Sequence, residues 1–573
     1  MDNQKKTLAG VLAGVLENIT EVDIEKLIET PPDSSMGDYA FPCFKLAALY
    51  RKAPQKIAEE LAEKLQGTEG CSEVKNVNAY VNFFMDRTAT EAAVIAEVTA
   101  KGEAYGSSDY GENRPVIVEF SSPNIAKPFH IGHLRSTVLG NALAKIYKAL
   151  GFDVIRINHL GDYGTQFGKM IVAYRRWGSE EEVRREPIRT LLKYYVRFHD
   201  EAEKDPSLED EARATFTKLE KGEKEEVEIW QWFREESLKE FSFVYDMLGI
   251  DFDSYAGESF YSDKMDRVVD IMEEKGLLKE SEGAMIVDLE EYGMPPALIK
   301  KSDGSTLYIT RDIAAALYRK ETYDFYKNIY VVASQQNLHF RQWFKIIELM
   351  GYDWAGQCVH VPFGMVSLED GTMSTRHGKV VFLLDVLNKA VEKTREIIAE
   401  KNVPEEDLDQ TAHDVGVGAV MFQELSNNMI KDYTFSWDKV LNFDGETGPY
   451  VQYTHARCSS VLRKAGADAE AVISGEITPD LTVLSDSDIV YELVKAIGKF
   501  PDIVKEAGEK YEPSVITRHI IAVAGLFNKF YHDEHILVED REERLARIAV
   551  VNAAGQTIRN GLTMLGIAAP ERM

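Results

Sequence analysis

The sequence is poor in cysteine and lacks long apolar runs, and both absences exclude classes of protein. Its four cysteines, at positions 43, 71, 358 and 458 of 573 residues, form no Cys-x-x-Cys pair. Neither a zinc ribbon nor a disulfide framework is therefore indicated. No apolar run approaches the ~20 residues that cross a bilayer. Together these absences predict a cytoplasmic protein with no membrane partner.

An excess of positive charge is also missing. The chain carries 66 basic and 95 acidic residues, for a net charge of −29. Taken alone, this argues against nucleic-acid binding, because phosphate contacts need lysine and arginine. A local basic strip can still exist on an acidic protein, so specific motifs can outweigh the net charge.

The N-terminal segment has two interpretations. Lys5 and Lys6 precede a short apolar stretch from Leu8 to Leu16, which faintly resembles a signal peptide. The apolar residues fall at helical spacing, however, and an acidic stretch follows in place of a cleavage site. An amphipathic helix is the favoured interpretation.

Three domains are predicted from the pattern along the chain. Residues 1–110 form a small domain, with helical patterns at 4–18 and 55–66, a strand from Ala79 to Met85, and a linker from Gly102 to Asn113. Residues 111–400 form the second domain, and its charged helical pattern at 178–240 belongs to an insertion of about 178–300. Residues 401–573 are helical throughout and form the third domain.

The second domain begins with a strand-helix-strand pattern. Pro115 to Phe120 is a buried-strand run, the segment Ile131 to Leu150 has helical periodicity and stops at Gly151, and a second strand runs from Asp153 to Ile157. Such a unit favours a parallel sheet. Further strand patterns lie at Ala284 to Leu289, Ile329 to Ala333 and Cys358 to Val366.

Two histidines flank a glycine where the first predicted strand meets its helix. A helix start suits phosphate, and Gly132 allows close approach of a nucleotide. His130 and His133 can donate hydrogen bonds to a charge-rich phosphoryl transition state. The alternative is a chance pair of surface histidines. No third metal ligand is evident, and no G-x-G-x-x-G follows this strand, which disfavours a zinc site and a dinucleotide site.

Other polar residues are weaker candidates. The stretch Met373 to Lys379 suits a loop that grips a triphosphate, although solvated basic loops are common. Lys127 gains interest only from its place beside the histidines. A guanidinium substrate would need planar carboxylates, and the candidates for this group, which spacing alone does not bring together, are Glu119, Glu258 and Asp312, with Tyr308, Asn124 and Gln336.

Several long motifs resemble the arginyl-tRNA synthetases. VEFSSPNIAKPFHIGHLRST and NHLGDYGTQFGK look like the family signature, including the HIGH motif of class I synthetases. YITRDIAAA, VVASQQNLHF and HVPFGMV are similar to the second catalytic half. GPYVQYTHARCSSVL resembles the start of the anticodon-binding domain, and LGIAAPERM resembles the C-terminus.

The resemblance implies a fold and an activity. The fold is an α/β Rossmann-type catalytic domain with a parallel sheet, a small α+β N-terminal domain and an all-α C-terminal anticodon-binding bundle. The activity is formation of arginyl-adenylate from L-arginine and ATP with Mg²⁺, then transfer to tRNA(Arg) by a monomer. A free-standing arginine-adenylating paralogue and a non-catalytic tRNA-binding protein are the alternatives.

The resemblance also implies residue roles. The catalytic group would be His130, Gly132, His133, Lys127, Met373, Ser374 and Arg376. The substrate group would be Glu119, Ser122, Asn124, His130, Glu258, Tyr308, Asp312 and Gln336. The tRNA group would be Tyr80 and Asn82 at the D-loop, and Tyr450, Tyr453, Arg457, Tyr531 and Met573 at the anticodon end.

The signature loop of class I departs from its usual pattern here. Threonine stands at both lysine positions, Thr372 and Thr375. In the arginyl family a lysine just before the HIGH motif compensates for a missing loop lysine, and Lys127 occupies that position. The departure therefore favours the arginyl family over a general class I assignment.

Overall fold

A computed structural model describes residues 2–31, 33–301, 308–368, 381–400, 404–443 and 445–573. The chain divides into two compact units. The first unit contains Met1–Gly106, Thr454–Lys505 and His519–Asn560, and the second contains Ser107–Tyr453, Glu506–Arg518 and Gly561–Met573.

Among the described residues, the strands fall between residues 39 and 435, and helices extend from residue 2 to residue 564. The helices are α1 Asp2–Ala13, α2 Glu21–Leu27, α3 Leu46–Tyr50, α4 Pro54–Lys64, α5 Arg87–Lys101, α6 Ile131–Ala149, α7 Thr165–Trp177, α8 Glu180–Arg185, α9 Pro187–Ala202, α10 Ser207–Glu220, α11 Lys224–Leu248, α12 Met265–Glu274, α13 Tyr308–Tyr323, α14 Asn337–Leu349, α15 Leu383–Ala399, α16 Glu405–Ser426, α17 Trp437–Val440, α18 Gly448–Ala465, α19 Ala467–Ile473, α20 Asp488–Gly498, α21 Phe500–Lys510, α22 Ser514–Asp533 and α23 Arg541–Met564. The strands are β1 Tyr39–Pro42, β2 Cys71–Val77, β3 Tyr80–Met85, β4 Pro115–Glu119, β5 Asp153–Ile157, β6 Leu278–Ser281, β7 Ala284–Val287, β8 Ala297–Lys300, β9 Lys327–Ala333, β10 Cys358–Phe363, β11 Val366–Leu368 and β12 Tyr433–Phe435.

The first unit contains an antiparallel sheet of three strands in the order β1-β3-β2. Phe41 pairs with Val81 across β1 and β3, and both side chains are buried with residues of α1 and α4. The predicted strand from Ala79 to Met85 is confirmed as β3. The predicted helix at 4–18 ends earlier, at Ala13, where glycine follows and weakens helix propagation.

The second unit is built on a parallel sheet of four strands in the order β10-β9-β4-β5. Val116, Ile117 and Val118 of β4 are all fully buried, as expected of a parallel strand covered on both faces. The predicted strand-helix-strand unit is confirmed as β4, α6 and β5. Gly140 lets α6 approach the sheet closely, because a Cβ there would lie 2.1 Å from the Cβ of Phe120.

The strand order creates a switch point between β4 and β9. From β4 the chain proceeds through α6 to β5 on one side, whereas β9 and β10 lie on the other side. Ligands of open α/β sheets bind at the carboxyl ends of strands beside such a point. The loops that follow β4 and β5 meet at this edge through Asn124 and Gly161. The loop after β9 begins at the same edge, because β9 runs parallel to β4.

The insertion between β5 and β9 is mainly helical. The charged pattern at 178–240 forms α8, α9, α10 and most of α11. The pattern at Ala284 to Leu289 forms β7, the centre of a separate antiparallel sheet with β6 and β8. The predicted run Cys358 to Val366 is divided into β10 and β11.

One prediction for the C-terminal third is wrong. The chain after residue 400 is not helical throughout, because β12 pairs in parallel with β11 through Val366 and Tyr433. A strand of three residues is too short to show its period in the sequence. Among the helices that the structure describes, none is long and apolar enough to span a membrane.

Candidate active site

The two histidines form the N-terminal cap of α6. His130 has an extended backbone, and its Nδ1 accepts a hydrogen bond from the Gly132 N–H at 3.0 Å. The Nδ1 of His133 accepts one from the His130 N–H at 3.2 Å. A neutral imidazole has one donor and one acceptor nitrogen. Both rings therefore carry their proton on Nε2, which leaves two N–H donors at the start of the helix.

Burial keeps both imidazoles neutral. Loss of solvent lowers the pKa of His130 to about 4. The pKa of His133 is held well below its usual range by burial first and by the charges of His130 and Lys127 next. Two neutral donors on a positive helix end are suited to an anionic ligand.

The loop between β4 and α6 is held in an unusual conformation. Ser121, Ser122 and Ala126 have φ values of 70°, 49° and 59°, which side chains other than glycine rarely adopt. The Ser121 N–H donates to Ser136 Oγ at 3.0 Å, and the Ala126 N–H donates to Ser237 Oγ at 3.1 Å. Such strain persists where the surroundings fix it, and it concentrates at functional sites.

Asn124 is fixed against the loop that follows β5. The Ile125 N–H donates to the Gly161 carbonyl at 3.1 Å, and the Gly161 N–H donates to the Pro123 carbonyl at 3.0 Å. A Cβ on Gly161 would lie 2.5 Å from Asn124 Oδ1. The glycine therefore leaves space for the Asn124 amide.

Each of the three candidate carboxylates has an internal cationic or imidazole partner. Glu119 Oε2 is 2.5 Å from Nη1 of Arg319, whose side chain is fully buried. Glu258 Oε2 lies 3.3 Å from Arg311 Nη1. Asp312 Oδ2 is 2.5 Å from Nε2 of His339, which is 13% exposed. The sequence analysis did not identify Arg319, Arg311 and His339 as site residues.

The carboxylates lie close enough to influence one another. Burial raises the pKa of Glu258 to about 7; Arg311 opposes this shift, and Asp312 adds to it. His159 lies in the same field: burial lowers its pKa, whereas Glu119 and Asp312 raise it. The structure gathers the three carboxylates on α13, which carries Asp312 and the arginine partners of Glu119 and Glu258; sequence spacing alone could not show this.

Asp162 is a residue that the sequence analysis missed. Its side chain is fully buried and accepts hydrogen bonds from Arg234 Nε at 3.0 Å and from the Ser259 N–H at 2.8 Å. The Glu258 N–H donates to the Leu160 carbonyl at 2.9 Å. Asp162 therefore fixes the turn that presents Glu258. The available signal was its place in the motif NHLGDYG.

The remaining candidate side chains in the second unit lie at or near the surface or fall outside the described residues. Tyr308 is 57% exposed, with its ring centroid 4.8 Å from that of His339. Gln336 is exposed in the 3₁₀ turn Ser334–Gln336 after β9. Lys127 lies over the Tyr195 ring with its Nζ 5.8 Å from the centroid. The candidates Met373, Ser374 and Arg376 fall outside the described residues.

The residues predicted to contact tRNA occupy several elements. Tyr80 packs edge-to-face against exposed Phe44 with centroids 5.4 Å apart. Asn82 is 3% exposed, and its amide donates to the Met36 carbonyl.

At the other predicted tRNA contact, Arg457 stacks on Tyr531 with the guanidinium 5.0 Å from the ring centroid. Tyr450 and Tyr453 lie near the start of α18, and Met573 is the last residue. Their contacts with tRNA stay predictions.

Three family models match the chain. The description "tRNA synthetases class I (R), catalytic domain" matches residues 94–437. "DALR anticodon binding domain" matches residues 451–573, and "Arginyl tRNA synthetase N terminal domain" matches residues 3–85. These models are similar to the chain over most of its length and in the expected order.

Curated relatives and solved structures agree with these models. The arginine–tRNA ligase of Clostridioides difficile (strain 630) is 60% identical over 573 residues and covers 100% of both chains. The arginine–tRNA ligase of Halothermothrix orenii is 58% identical and covers 99% of both. The arginyl-tRNA synthetase structure of Thermus thermophilus matches with a TM-score of 0.82 and 25% identity, covering 100% of this chain and 99% of the other. The Plasmodium falciparum enzyme structure matches with a TM-score of 0.81 and 24% identity, covering 100% and 98%, and supports the fold.

Proposed function

This chain belongs to the class I arginyl-tRNA synthetase family, and from that membership we infer that it activates L-arginine with ATP and transfers it to tRNA(Arg). The predicted fold class and enzyme class are confirmed by the family models and by the Thermus structure. We also propose a role for each residue of the site. The arrangement that carries this proposal is the pair of neutral histidines beside three gathered carboxylates at one sheet edge.

His130 and His133 bind the phosphates of ATP in this proposal. The arginine carboxylate attacks the α-phosphorus, forming arginyl-adenylate and releasing pyrophosphate. Charge on the phosphoryl oxygens is stabilised by the two Nε2–H donors and by the N-terminus of α6. Lys127 adds a positive charge beside them. Catalysis of this kind depends on positioning and charge stabilisation rather than on a covalent enzyme intermediate.

Asp312 is the strongest candidate for the guanidinium of the substrate. Glu119 and Glu258 each face an internal arginine, which neutralises much of their charge. The partner of Asp312 is a histidine, so this contact lacks the permanent positive charge of a guanidinium. The Asp312 side chain is 30% exposed and so accessible to substrate, as is that of Glu258 at 29%, whereas Glu119 is 9% exposed. A carboxylate in this setting favours a planar guanidinium over the ammonium of lysine.

Asn124 and Ser122 hold the α-amino and carboxylate groups of arginine in this proposal, together with Gln336. Gly161→Ala tests this role, because the new Cβ would press on Asn124 Oδ1. We expect KM for arginine to rise by about tenfold, because a displaced hydrogen-bond partner costs about 1–3 kcal/mol and about 1.4 kcal/mol is tenfold in affinity. KM for ATP should change little. Steady-state kinetics with each substrate varied in turn would measure both values.

The matched control for Gly161→Ala is Gly356→Ala, since a Cβ at that position would meet nothing within 4 Å. The control should leave both KM values unchanged. Equal rises of both KM values in the Gly161 variant would contradict the assignment and indicate a general distortion of the loop.

Mg²⁺ is expected with ATP. Among the described residues, no group of three or more histidine, cysteine, aspartate or glutamate side chains could hold a metal ion. Mg²⁺ is usually bound mainly through substrate phosphates, and we propose the same here. The ion would supply additional charge neutralisation at the triphosphate.

Transfer to tRNA requires recognition away from the reaction site. We propose that residues 1–110 contact the D-loop through Tyr80, which lies on β3 with the buried Asn82, and that residues 401–573 read the anticodon. Arg457 stacked on Tyr531 offers a cation and an aromatic face, the combination that binds unstacked bases. We further propose a monomer in the cytoplasm, where tRNA charging supplies translation.

Arginine-dependent ATP–pyrophosphate exchange tests the function directly. We expect exchange with arginine, none with lysine, and a requirement for tRNA. Exchange without tRNA would support the adenylating activity and contradict the tRNA requirement. Absence of exchange with arginine under both conditions would contradict the enzymatic function and favour a non-catalytic tRNA-binding protein.

A further inference from the structure

A buried arginine links α6 to the segments around β11 and β12. Arg135 follows His130 and His133 in the same helix, and its side chain is fully buried. Nη1 donates to the carbonyl oxygens of Gly364 at 3.0 Å and Lys431 at 2.8 Å. Nη2 donates to the carbonyl of Asn428 at 3.1 Å. The two separate Nη atoms of the guanidinium let one side chain reach three carbonyls at once, which the single Nζ of lysine cannot do with the same geometry.

Two further side chains complete the Arg135 network. Glu424 of α16 is fully buried, with Oε2 3.7 Å from Arg135 Nε. The Tyr433 hydroxyl donates to the Glu424 carboxylate, and the Arg135 guanidinium lies 5.2 Å from the Tyr433 ring centroid. Buried ion pairs contribute little net stability compared with apolar packing. Stability alone is therefore a poor reason for this set of polar groups.

The position of the network in the chain suggests another reason. Gly364 precedes β11, which packs against α6 and is followed in the sequence by residues 369–380. On their other side, Phe382 forms an antiparallel bridge with His130. Arg135 and His130 thus fasten the chain to the start of α6 both before and after this stretch.

We propose that Arg135 is a positioning residue for adenylate formation, holding β11 at a fixed place relative to His130 and His133. The inference rests on the proposed binding of ATP by these histidines. Arg135 itself touches no substrate. Its loss should lower the rate of the chemical step, because the start of α6, which carries both imidazoles, would no longer be held against the backbone at Gly364, Asn428 and Lys431.

Two conservative substitutions test this role. Arg135→Lys keeps the charge and loses the fan of three hydrogen bonds, whereas Tyr433→Phe removes only the hydroxyl that donates to Glu424. We expect kcat for tRNA-supported pyrophosphate exchange to fall by about tenfold or more in Arg135→Lys, and less in Tyr433→Phe. KM for arginine should stay nearly constant in both, and melting temperatures would be measured alongside.

The matched control is Glu226→Gln in α11. Glu226 is also buried, at 3% exposure, and is paired with Arg175 at 2.9 Å, within the helical insertion. It should lower the melting temperature and leave kcat unchanged. A kcat in the Arg135 and Tyr433 variants that equals that of Glu226→Gln would overturn the positioning role.

A fourth variant separates this inference from the proposed site. If His133→Asn retains full exchange, the ATP role of the histidines fails, and this inference fails with it. If His133→Asn loses exchange while Arg135→Lys and Tyr433→Phe keep it, only the positioning role is overturned. If Arg135→Lys does not fold, Tyr433→Phe decides: a reduced kcat with unchanged KM for arginine supports the role, and an unchanged kcat overturns it.

Discussion

Replacing His133 with asparagine is expected to lower kcat for arginine-dependent pyrophosphate exchange by about 10²-fold, with little change in KM for arginine. The asparagine Oδ1 can take the place of Nδ1, which accepts the His130 N–H at 3.2 Å. The start of α6 is thereby preserved, and only the Nε2–H donor to the phosphoryl oxygens is lost. The same argument applies to His130→Asn, because asparagine is a favourable N-cap residue.

Two further histidine variants serve as comparisons for His133→Asn. His133→Gln places an amide N–H near the position of Nε2 and should recover part of the lost rate. His532→Asn changes a histidine that is 88% exposed and should leave the rate unchanged. An asparagine variant of His133 with normal kcat and normal melting temperature would contradict a phosphate role for this imidazole.

Asp312→Asn is expected to lower kcat/KM for arginine by about 10²-fold or more, since removing one charge of a pair that substrate binding buries costs about 2–5 kcal/mol. Asparagine keeps the size of the side chain and can still bond to Nε2 of His339. The lost quantity is the negative charge that would face the guanidinium. KM for ATP should remain nearly constant. Steady-state exchange kinetics with arginine, and with lysine as a competitor, would measure the effect.

Asp263→Asn is the charge-matched control, because Asp263 has an 80% exposed side chain and pairs with Lys264. It lies in the 3₁₀ segment Glu258–Lys264, which also carries Glu258. Removing its charge should change neither substrate's KM. If Asp312→Asn weakened ATP and arginine equally, or neither, the assignment of Asp312 to the guanidinium would be wrong.

Local pattern predicted the elements that carry the histidines. A run of apolar residues followed by a helical period and a glycine stop predicted β4, α6 and the turn at Gly151, which has a φ of 83°. These elements depend on neighbouring residues, so their signals are local. β12 was missed because its three residues acquire strand geometry only through pairing with β11, far away in the sequence.

The carboxylates of the site show the same difference between local signals and long-range contacts. The family resemblance named Glu119, Glu258 and Asp312, yet nothing in their spacing predicted the partners Arg319, Arg311 and His339. These pairs join residues of different loops and helices. Since long-range contacts leave no period in the sequence, the charge balance of the pocket could be obtained only from the folded chain.

The sequence by itself determined the family, the parallel sheet and the place of the two histidines at a helix start, because these depend on contiguous motifs. Only the tertiary structure decided which imidazole nitrogen carries the proton, which carboxylates are neutralised internally, and how Arg135 joins α6 to β11. Each of those outcomes depends on burial and on hydrogen bonds between distant segments. Burial and hydrogen bonding are properties of the packed chain, whereas motif spacing is a property of the linear one.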